Sequence, residues 1–96
     1  MSTLHVALQD GFAGDEVAIR VDGREVWRKA GVKTDIRISR ADAAEVEAPS
    51  GAAVEIEARG RTAAVRADPA TPHLGVSLDR EGRPQMRLSA EPFAYL

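Results

Sequence analysis

Hydrophobic residues recur at every second position along most of this chain, which is the period of a β-strand with one buried face. Short clusters of Gly, Pro and Asp interrupt the alternation, and these residues favour turns. The pattern predicts an all-β protein with about eight or nine strands. The alternating apolar residues are Leu4, Val6 and Leu8; Val17, Ile19 and Val21; Ile36 and Ile38; Val54 and Ile56; Leu74, Val76 and Leu78; and Met86 and Leu88.

The sequence VDGREV predicts a hairpin, because Asp-Gly favours the two-residue loop that joins antiparallel strands. Such a loop places Val21 opposite Arg24 and Ile19 opposite Val26. Two apolar side chains would then lie on the same, buried face. We expect Trp27, the next residue, to lie on the opposite face.

Two further turn sequences predict hairpins in which register and hydrophobicity also agree. Arg-Gly forms the loop of one, and Glu-Gly lies in the longer loop of the other. Three such hairpins favour an antiparallel sheet. The loops are Arg59-Gly60 and Glu81-Gly82, and the expected facing pairs are Ile56 with Ala63, Val54 with Val65, and Leu78 with Met86.

The segment SRADAAEVEAP fits two structures. Ser39 suits a helix N-cap, with Asp42 three residues later as its capping-box partner. Val46, however, alternates with polar neighbours, as in a strand. We expect a single helical turn near residues 40–43 and then a strand that begins at Glu45.

Short strands separated by turns at intervals of about 8–12 residues are typical of a β-sandwich. We therefore expect residues 1–96 to form a single domain. It would be a small antiparallel β-sandwich, immunoglobulin-like in the loose architectural sense, with at most one short helical turn. This architecture hosts many unrelated functions, so it assigns none by itself.

Composition favours a folded, cytoplasmic protein. Hydrophobic residues make up 44% and charged residues 29% of the chain, and the formal net charge is −2. Cysteine is absent, which excludes disulfides and thiolate metal sites and permits a reducing compartment. The N-terminus does not resemble a signal peptide, and no apolar run approaches the roughly 18 residues of a membrane span. Alanine supplies much of the apolar fraction and buries little area, so a second subunit would add burial.

Catalytic and metal sites are not indicated. None of the five serines lies in a nucleophile-elbow sequence, and the only bases with a suitable ordinary pKa are His5 and His73. These histidines lack the close spacing that places two ligands on one metal. We expect His5 to be a solvated strand residue, facing away from Leu4 and Val6, and His73 to be a loop residue that enters a strand. A hydrolase or metal enzyme would gain support only if one of them lay beside a carboxylate in a pocket.

Two charged segments have ordinary explanations. The acidic residues of QDGFAGDE, namely Asp10, Asp15 and Glu16, lack EF-hand spacing, and a turn at Gly11 and Gly14 explains the segment. The most basic stretch is WRKAGVK, which we expect at the surface end of a strand. Basic and acidic residues interleave, 13 against 15, whereas nucleic-acid binding needs clustered positive charge. We therefore expect no metal, no cofactor, no nucleic-acid partner and no membrane contact.

Trp27 is the most informative side chain, because the hairpin register points it away from the core. In that register it lies across from Ala18 and diagonal to Arg20. An exposed indole would serve as a subunit contact, as a platform for sugar stacking, or as a surface that another part of the chain covers. For sugar or small-ligand binding, Arg20 or Lys29 would supply polar contacts.

The C-terminal sequence EPFAYL holds two of the four aromatic residues. Pro92 cannot donate to a sheet ladder, and the next residues alternate, with Phe93 and Tyr95 on one side and Leu96 on the other. We expect this tail to pack on its own sandwich or on a neighbouring subunit, with the patch around Trp27 as a candidate docking site. Recognition of the C-terminus by a PDZ-type pocket is the alternative.

These expectations combine into one leading hypothesis. The chain would be a non-catalytic protein-interaction or accessory module that self-associates as a homodimer or binds another protein. The alternative is a small-ligand or carbohydrate-binding module that uses an exposed tryptophan. The residues expected at or near the contact surface are Trp27, Arg20, Phe93, Tyr95 and Leu96.

Overall fold

The computed structural model of this chain describes residues 3–35, 37 and 41–93. Within these ranges the chain forms eight strands and no helix, which confirms the all-β prediction. In chain order the strands are β1 (Thr3–Leu8), β2 (Ala13–Val21), β3 (Arg24–Lys33), β4 (Asp42–Glu47), β5 (Ala53–Ala58), β6 (Arg61–Arg66), β7 (His73–Leu78) and β8 (Pro84–Ser89).

The strands form two four-stranded sheets that pack into a sandwich. Sheet A has the strand order β4-β1-β7-β8, and sheet B has the order β3-β2-β5-β6. Inward-facing residues of both sheets share one hydrophobic core, as the period-two pattern predicts. An immunoglobulin-like topology remains a prediction. The largest fully buried side chains are Leu8, Ile19, Ile56, Leu74, Val6, Val17, Val32, Val54 and Val76.

Both predicted two-residue hairpin loops are present. Asp22 and Gly23 have φ of 50° and 82°, and Arg59 and Gly60 have φ of 53° and 71°. Two consecutive left-handed residues match the right-handed twist of the strands that they join. The facing pairs formed as predicted are Val21 with Arg24, Val54 with Val65, and Ile56 with Ala63.

The register of β2 with β3 shifts just beyond the first turn, and this corrects the predicted orientation of Trp27. Arg20 pairs with Glu25, but Ile19 then pairs with Trp27 instead of Val26. Val26 is the extra residue of this irregularity and is 38% exposed, whereas Trp27 is half-buried and packs against the core. An inserted residue exchanges the two faces of the strand. The exchange removes part of Trp27, the larger of the two apolar side chains, from solvent and exposes Val26 instead.

The third hairpin, between β7 and β8, is shifted by two residues from the prediction. Leu78 pairs with Pro84, and Met86 pairs with Val76. The loop, residues 79–83, is two residues shorter than the predicted pairing requires, and the Asp79 carboxylate accepts hydrogen bonds from two of its backbone N–H groups. Pro84 occupies the first position of an edge strand, where a missing N–H is tolerated.

The segment that fits two structures is a strand, not a helical turn, over its described residues. β4 begins at Asp42 instead of Glu45 and pairs with β1. This pairing buries Ala44 and Val46 in the core, which outweighs a weak local preference for helix. In this part of the chain, the predicted positions that lie outside the described residues are Ile36, Ile38, Ser39 and Arg40.

One pair of strands departs from the predicted antiparallel arrangement. β1 pairs with β4 antiparallel but with β7 in parallel, so sheet A is mixed. Parallel strands cannot be joined by a tight hairpin, and the partner of β1 therefore comes from far along the chain. This pairing places His5 beside His73 and creates the candidate site on the outer face of sheet A.

Candidate functional site

The outer face of sheet A carries an open trough of about 300 Å³, which we call the His5–His73 trough. Its walls and floor come from β1, β4 and β7 and from the segment that follows β8. The lining includes His5, Ala7, Ala43, Glu45, His73 and Phe93.

The two histidines of the trough stack on each other. Their ring centroids are 5.0 Å apart, and the ring planes are inclined by 20°. Nδ1 of His5 lies 3.4 Å from Oε1 of Glu45, which is its register partner on β4. Glu45, His5 and His73 thus form one row across three neighbouring strands.

The trough has a floor of small residues, which form the next row across the sheet. Ala7 pairs with Ala43 on one side and with Gly75 on the other. A Cβ on Gly75 would lie 3.0 Å from Cζ of Phe93 and 2.9 Å from Oε1 of Gln9, closer than ordinary van der Waals contact. The missing side chain of Gly75 therefore lets these two residues lie against the sheet.

Phe93 closes one end of the trough. The Arg87 guanidinium carbon lies 5.1 Å from the centroid of the Phe93 ring, within the range of a cation–π interaction. Phe93 thus packs on sheet A, whereas Trp27 belongs to sheet B, so the structure places these two aromatic residues apart. Two other predicted contact residues, Tyr95 and Leu96, lie outside the described residues.

The structure brings the two histidines together. They are distant in sequence but adjacent in sheet A, and a carboxylate lies beside them in a trough. His5 does face away from the buried Leu4 and Val6, as predicted, and 45% of its side chain is exposed. Sequence reasoning missed the cluster because no local signal shows which strands pair in parallel. Among the described residues, no group of three or more His, Asp or Glu could hold a metal ion.

Arg20 and Trp27 do not lie on one face of the sheet. Arg20 lies on the outer face of sheet B, where Nε donates to Glu55 at 2.6 Å and Nη1 donates to Glu57 at 2.8 Å. The hydrogen bond with Glu55, and after it the one with Glu57, raises the pKa of Arg20. The predicted position of Trp27 across from Ala18 is wrong, because Trp27 pairs with Ile19 and packs against the core.

The acidic segment before and within β2 forms ion pairs with arginine side chains. Arg59 binds Asp15 through Nε–Oδ1 and Nη2–Oδ2 contacts of 2.7 and 3.2 Å. The Arg59 hydrogen bond lowers the pKa of Asp15. Glu16 pairs with Arg28, which belongs to the basic stretch of β3. Both carboxylates therefore stabilise contacts within the fold.

A second candidate surface lies where the edges of the two sheets meet at β6 and β8, and we call it the β6–β8 seam. Four apolar side chains, Ala63, Val65, Met86 and Leu88, are only half-buried there. Each faces inward, since its register partner belongs to the core. The sandwich is therefore partly open to solvent along this seam.

The backbone edge of β6 is less protected than that of β3, the other edge of sheet B. β6 pairs with β5 at six positions without a shift, whereas the pairing of β3 with β2 has three register shifts. Register irregularities and charged side chains are devices that oppose edge-to-edge pairing. The centre of β6, residues 62–65, carries no charge, and Arg61 and Arg66 flank it.

The described part of the chain contains no helix that is long and apolar enough to cross a membrane. Comparisons with protein-family models, with curated proteins and with solved structures find no match for this chain. Any functional proposal therefore rests on the geometry of the trough and the seam.

Proposed function

We propose that this chain is a non-catalytic protein-interaction module that binds an extended segment of a partner. The segment would be added as a strand to the edge of β6 with which none of the described strands pairs. The observation that carries the proposal is the regular, centrally uncharged edge strand beside the half-buried side chains of the β6–β8 seam. Strand addition combines backbone hydrogen bonds with recognition of alternate side chains.

The direction of the backbone groups of β6 follows from its hairpin. In a two-residue hairpin the closing pair, here Ala58 and Arg61, exchanges both backbone hydrogen bonds, and every second pair after it does the same. The N–H and C=O groups of Thr62, Ala64 and Arg66 therefore point away from β5. A partner strand would satisfy these groups.

The side chains of the partner are also constrained. One face of an added strand would continue the inner face of sheet B and cover Val65 and Met86, which pack at the margin of the core. Apolar residues at alternate positions would gain about 25 cal/mol per Å² of apolar area buried. Because Arg61 and Arg66 flank the uncharged centre, acidic residues near both ends of the partner segment are favoured.

A second copy of this chain is another occupant to test at this edge. In an antiparallel β6–β6 pair centred on Ala64, the outward-pointing Thr62 of each copy lies opposite Arg66 of the other. The homodimer expected from the sequence stays a separate prediction. Size-exclusion chromatography with light scattering on the full chain tests it.

The trough is the place where catalysis has to be considered, because His5 lies there beside the Glu45 carboxylate. A hydrolytic site would also need an activated nucleophile. Ser89 is the register partner of His73. Its Oγ donates to the Glu91 carbonyl oxygen at 2.8 Å, not to an imidazole, so this hydroxyl is not arranged as a nucleophile.

Carbohydrate binding by an exposed indole is less favoured, because Trp27 packs against the core and does not present a fully exposed ring. A cytoplasmic location is part of the proposal, and the absence of cysteine supports it. Fractionation of cells that express the tagged chain tests the location.

The test of strand addition uses the full chain and synthetic peptides. A peptide of alternating Val and Thr with two Glu residues at each end is compared, by isothermal titration calorimetry, with the same peptide ended by Lys residues. We expect the acidic-ended peptide to bind at least about tenfold more tightly, because its ends meet Arg61 and Arg66. Equal affinities would contradict the proposed site.

Ala64→Pro is the diagnostic variant, because it removes an outward-pointing N–H and spares the ladder with β5. Ala64→Ser is its matched control and keeps that N–H. The proline variant should lose binding of the acidic-ended peptide, and the serine variant should retain it. Unchanged binding by a folded Ala64→Pro protein would contradict strand addition. Should that variant unfold, the double variant Arg61→Glu, Arg66→Glu keeps the test decisive, because it should reverse the preference between the two peptides.

A further inference from the structure

We infer that the His5–His73 trough binds a small organic cation, an amine that carries a short apolar or aromatic body. Three features support this: a carboxylate with unused acceptor positions, a stacked imidazole pair, and an apolar floor with an aromatic end. The trough shares no lining residue with β6 or β8, so the inference is independent of strand addition.

Glu45 supplies the negative charge of the trough. Its side chain is 71% exposed, and Nδ1 of His5 lies 3.4 Å from Oε1. An ionised carboxylate has about four acceptor sites, so sites remain for a ligand beside the contact with His5. A protonated amine donates several hydrogen bonds and neutralises the charge, and such charge-assisted bonds are stronger than neutral ones.

The imidazole pair adds acceptors to the same row. Nδ1 of His5 faces Glu45 at 3.4 Å, and an imidazole that carries its proton on Nδ1 presents Nε2 as an acceptor. His73 stacks on His5 with 5.0 Å between the ring centroids, which constrains the orientation of both rings on the sheet. An amine group at this row would therefore meet acceptors from both β4 and β1.

The rest of the trough fits an apolar body. Ala7 and Ala43 form the floor, and Pro92 and Phe93 contribute an apolar and aromatic wall. The trough volume of about 300 Å³ is at the lower limit of small-molecule sites, which span roughly 300–1,000 Å³. A compact ligand with one ring is therefore the size that this site accommodates.

The charges around the trough favour a cation over an anion. Glu45 lines the trough, and Glu47 lies two positions further along the same face of β4. Arg87 lies over the Phe93 ring and is not part of the lining. An anionic ligand would meet the Glu45 carboxylate, the one carboxylate of the lining, and this repulsion disfavours it.

The test titrates the isotope-labelled full chain with probes that share a phenyl ring and a short chain but differ in charge: phenethylamine, phenethyl alcohol and hydrocinnamate. Two-dimensional NMR follows the backbone amides of β1, β4 and β7. We expect phenethylamine to shift these amides and phenethyl alcohol to bind at least about tenfold more weakly. Hydrocinnamate should leave the amides unchanged.

Glu45→Gln and Glu47→Gln are matched variants that remove the same charge from neighbouring outward positions of β4. Only Glu45 lines the trough, so Glu45→Gln should weaken phenethylamine binding about tenfold and Glu47→Gln by less than about twofold. Equal binding of the amine and the alcohol would overturn the inference. Preference for hydrocinnamate, absence of amide shifts with phenethylamine, or equal effects of the two variants would do the same.

Discussion

Arg59 binds the carboxylate of Asp15 in a bidentate arrangement, with Nε–Oδ1 and Nη2–Oδ2 distances of 2.7 and 3.2 Å. Arg59 has a left-handed φ in the turn between β5 and β6, and its Nη2 also donates to the Gly11 carbonyl oxygen at 3.2 Å. Asp15 is 11% exposed and accepts a further hydrogen bond from the Ala13 N–H. One ion pair thus connects the start of β2 to the β5–β6 turn.

This ion pair predicts a pH-dependent difference in stability between the protein and Asp15→Asn. Hydrogen bonding from Arg59 holds the pKa of Asp15 below its ordinary value of 3.8. A carboxylate with a lowered folded-state pKa contributes stability that is complete above the ordinary value and is lost as the pH falls through the lowered one. We expect Asp15→Asn to lower the thermal midpoint at neutral pH, and the difference to shrink as the pH falls below 3.8.

Thermal unfolding followed by circular dichroism across this pH range measures the difference. Asp10→Asn is the control, because Asp10 is exposed and lies in the same segment. A difference for Asp15→Asn that stays constant down to strongly acidic pH would show that the Arg59 contact is not its cause.

Gly11 and Gly14 have nearly the same φ, 91° and 90°, but different surroundings. A Cβ on Gly11 would overlap the carbonyl oxygen of Leu78, whereas nothing lies within 4 Å of a Cβ on Gly14. We expect Gly14→Ala to cost about 1–2 kcal/mol of unfolding free energy, from backbone strain alone. Gly11→Ala should cost about 2 kcal/mol more, because backbone must also move. Urea unfolding measures both losses, and equal losses would rule out the close approach to Leu78.

The Thr34 hydroxyl connects two segments at one end of the sandwich. Oγ1 accepts from the Phe12 N–H at 3.0 Å and donates to the Gln9 carbonyl oxygen at 2.6 Å. Thr34→Val keeps the side-chain shape but leaves both partners unsatisfied, so about 1–3 kcal/mol of unfolding free energy should be lost. Thr62→Val, at an exposed strand position, is the control and should change it by less than about 0.5 kcal/mol. If chemical denaturation gave similar changes, the bridge would contribute no stability.

Trp27 and Val26 are a matched pair for testing the register shift in β3. Trp27→Ala should cost about 2–4 kcal/mol of unfolding free energy, because the half-buried indole packs against the core. Val26→Ala should cost less than about 1 kcal/mol, because Val26 is 38% exposed. The unshifted register expected from the turn sequence predicts the opposite order. Equilibrium unfolding of the two variants therefore decides between the registers.

Two of the hairpins were predictable because a two-residue loop depends on adjacent residues only. Asp22-Gly23 and Arg59-Gly60 both adopt left-handed conformations, which Gly favours at the second position of each loop, and the first pairs beyond each loop follow. The shift at Val26 was not predictable in this way. The shift depends on whether burial of the indole or of the valine stabilises the fold more, and that comparison involves residues of both sheets.

Alternating hydrophobicity and turn chemistry are short-range properties, so the residues alone specify that this chain forms strands, which positions are buried in most of them, and where it turns sharply. The trough and the seam depend on strand order, because His5 meets His73 only after β1 pairs with β7, and β6 is an edge strand because none of the described strands follows it in sheet B. Many strand orders bury the same apolar faces, and each long-range pairing carries its own loop-closure cost. The free energy of the whole fold selects one strand order, and that order sets the neighbours of His5.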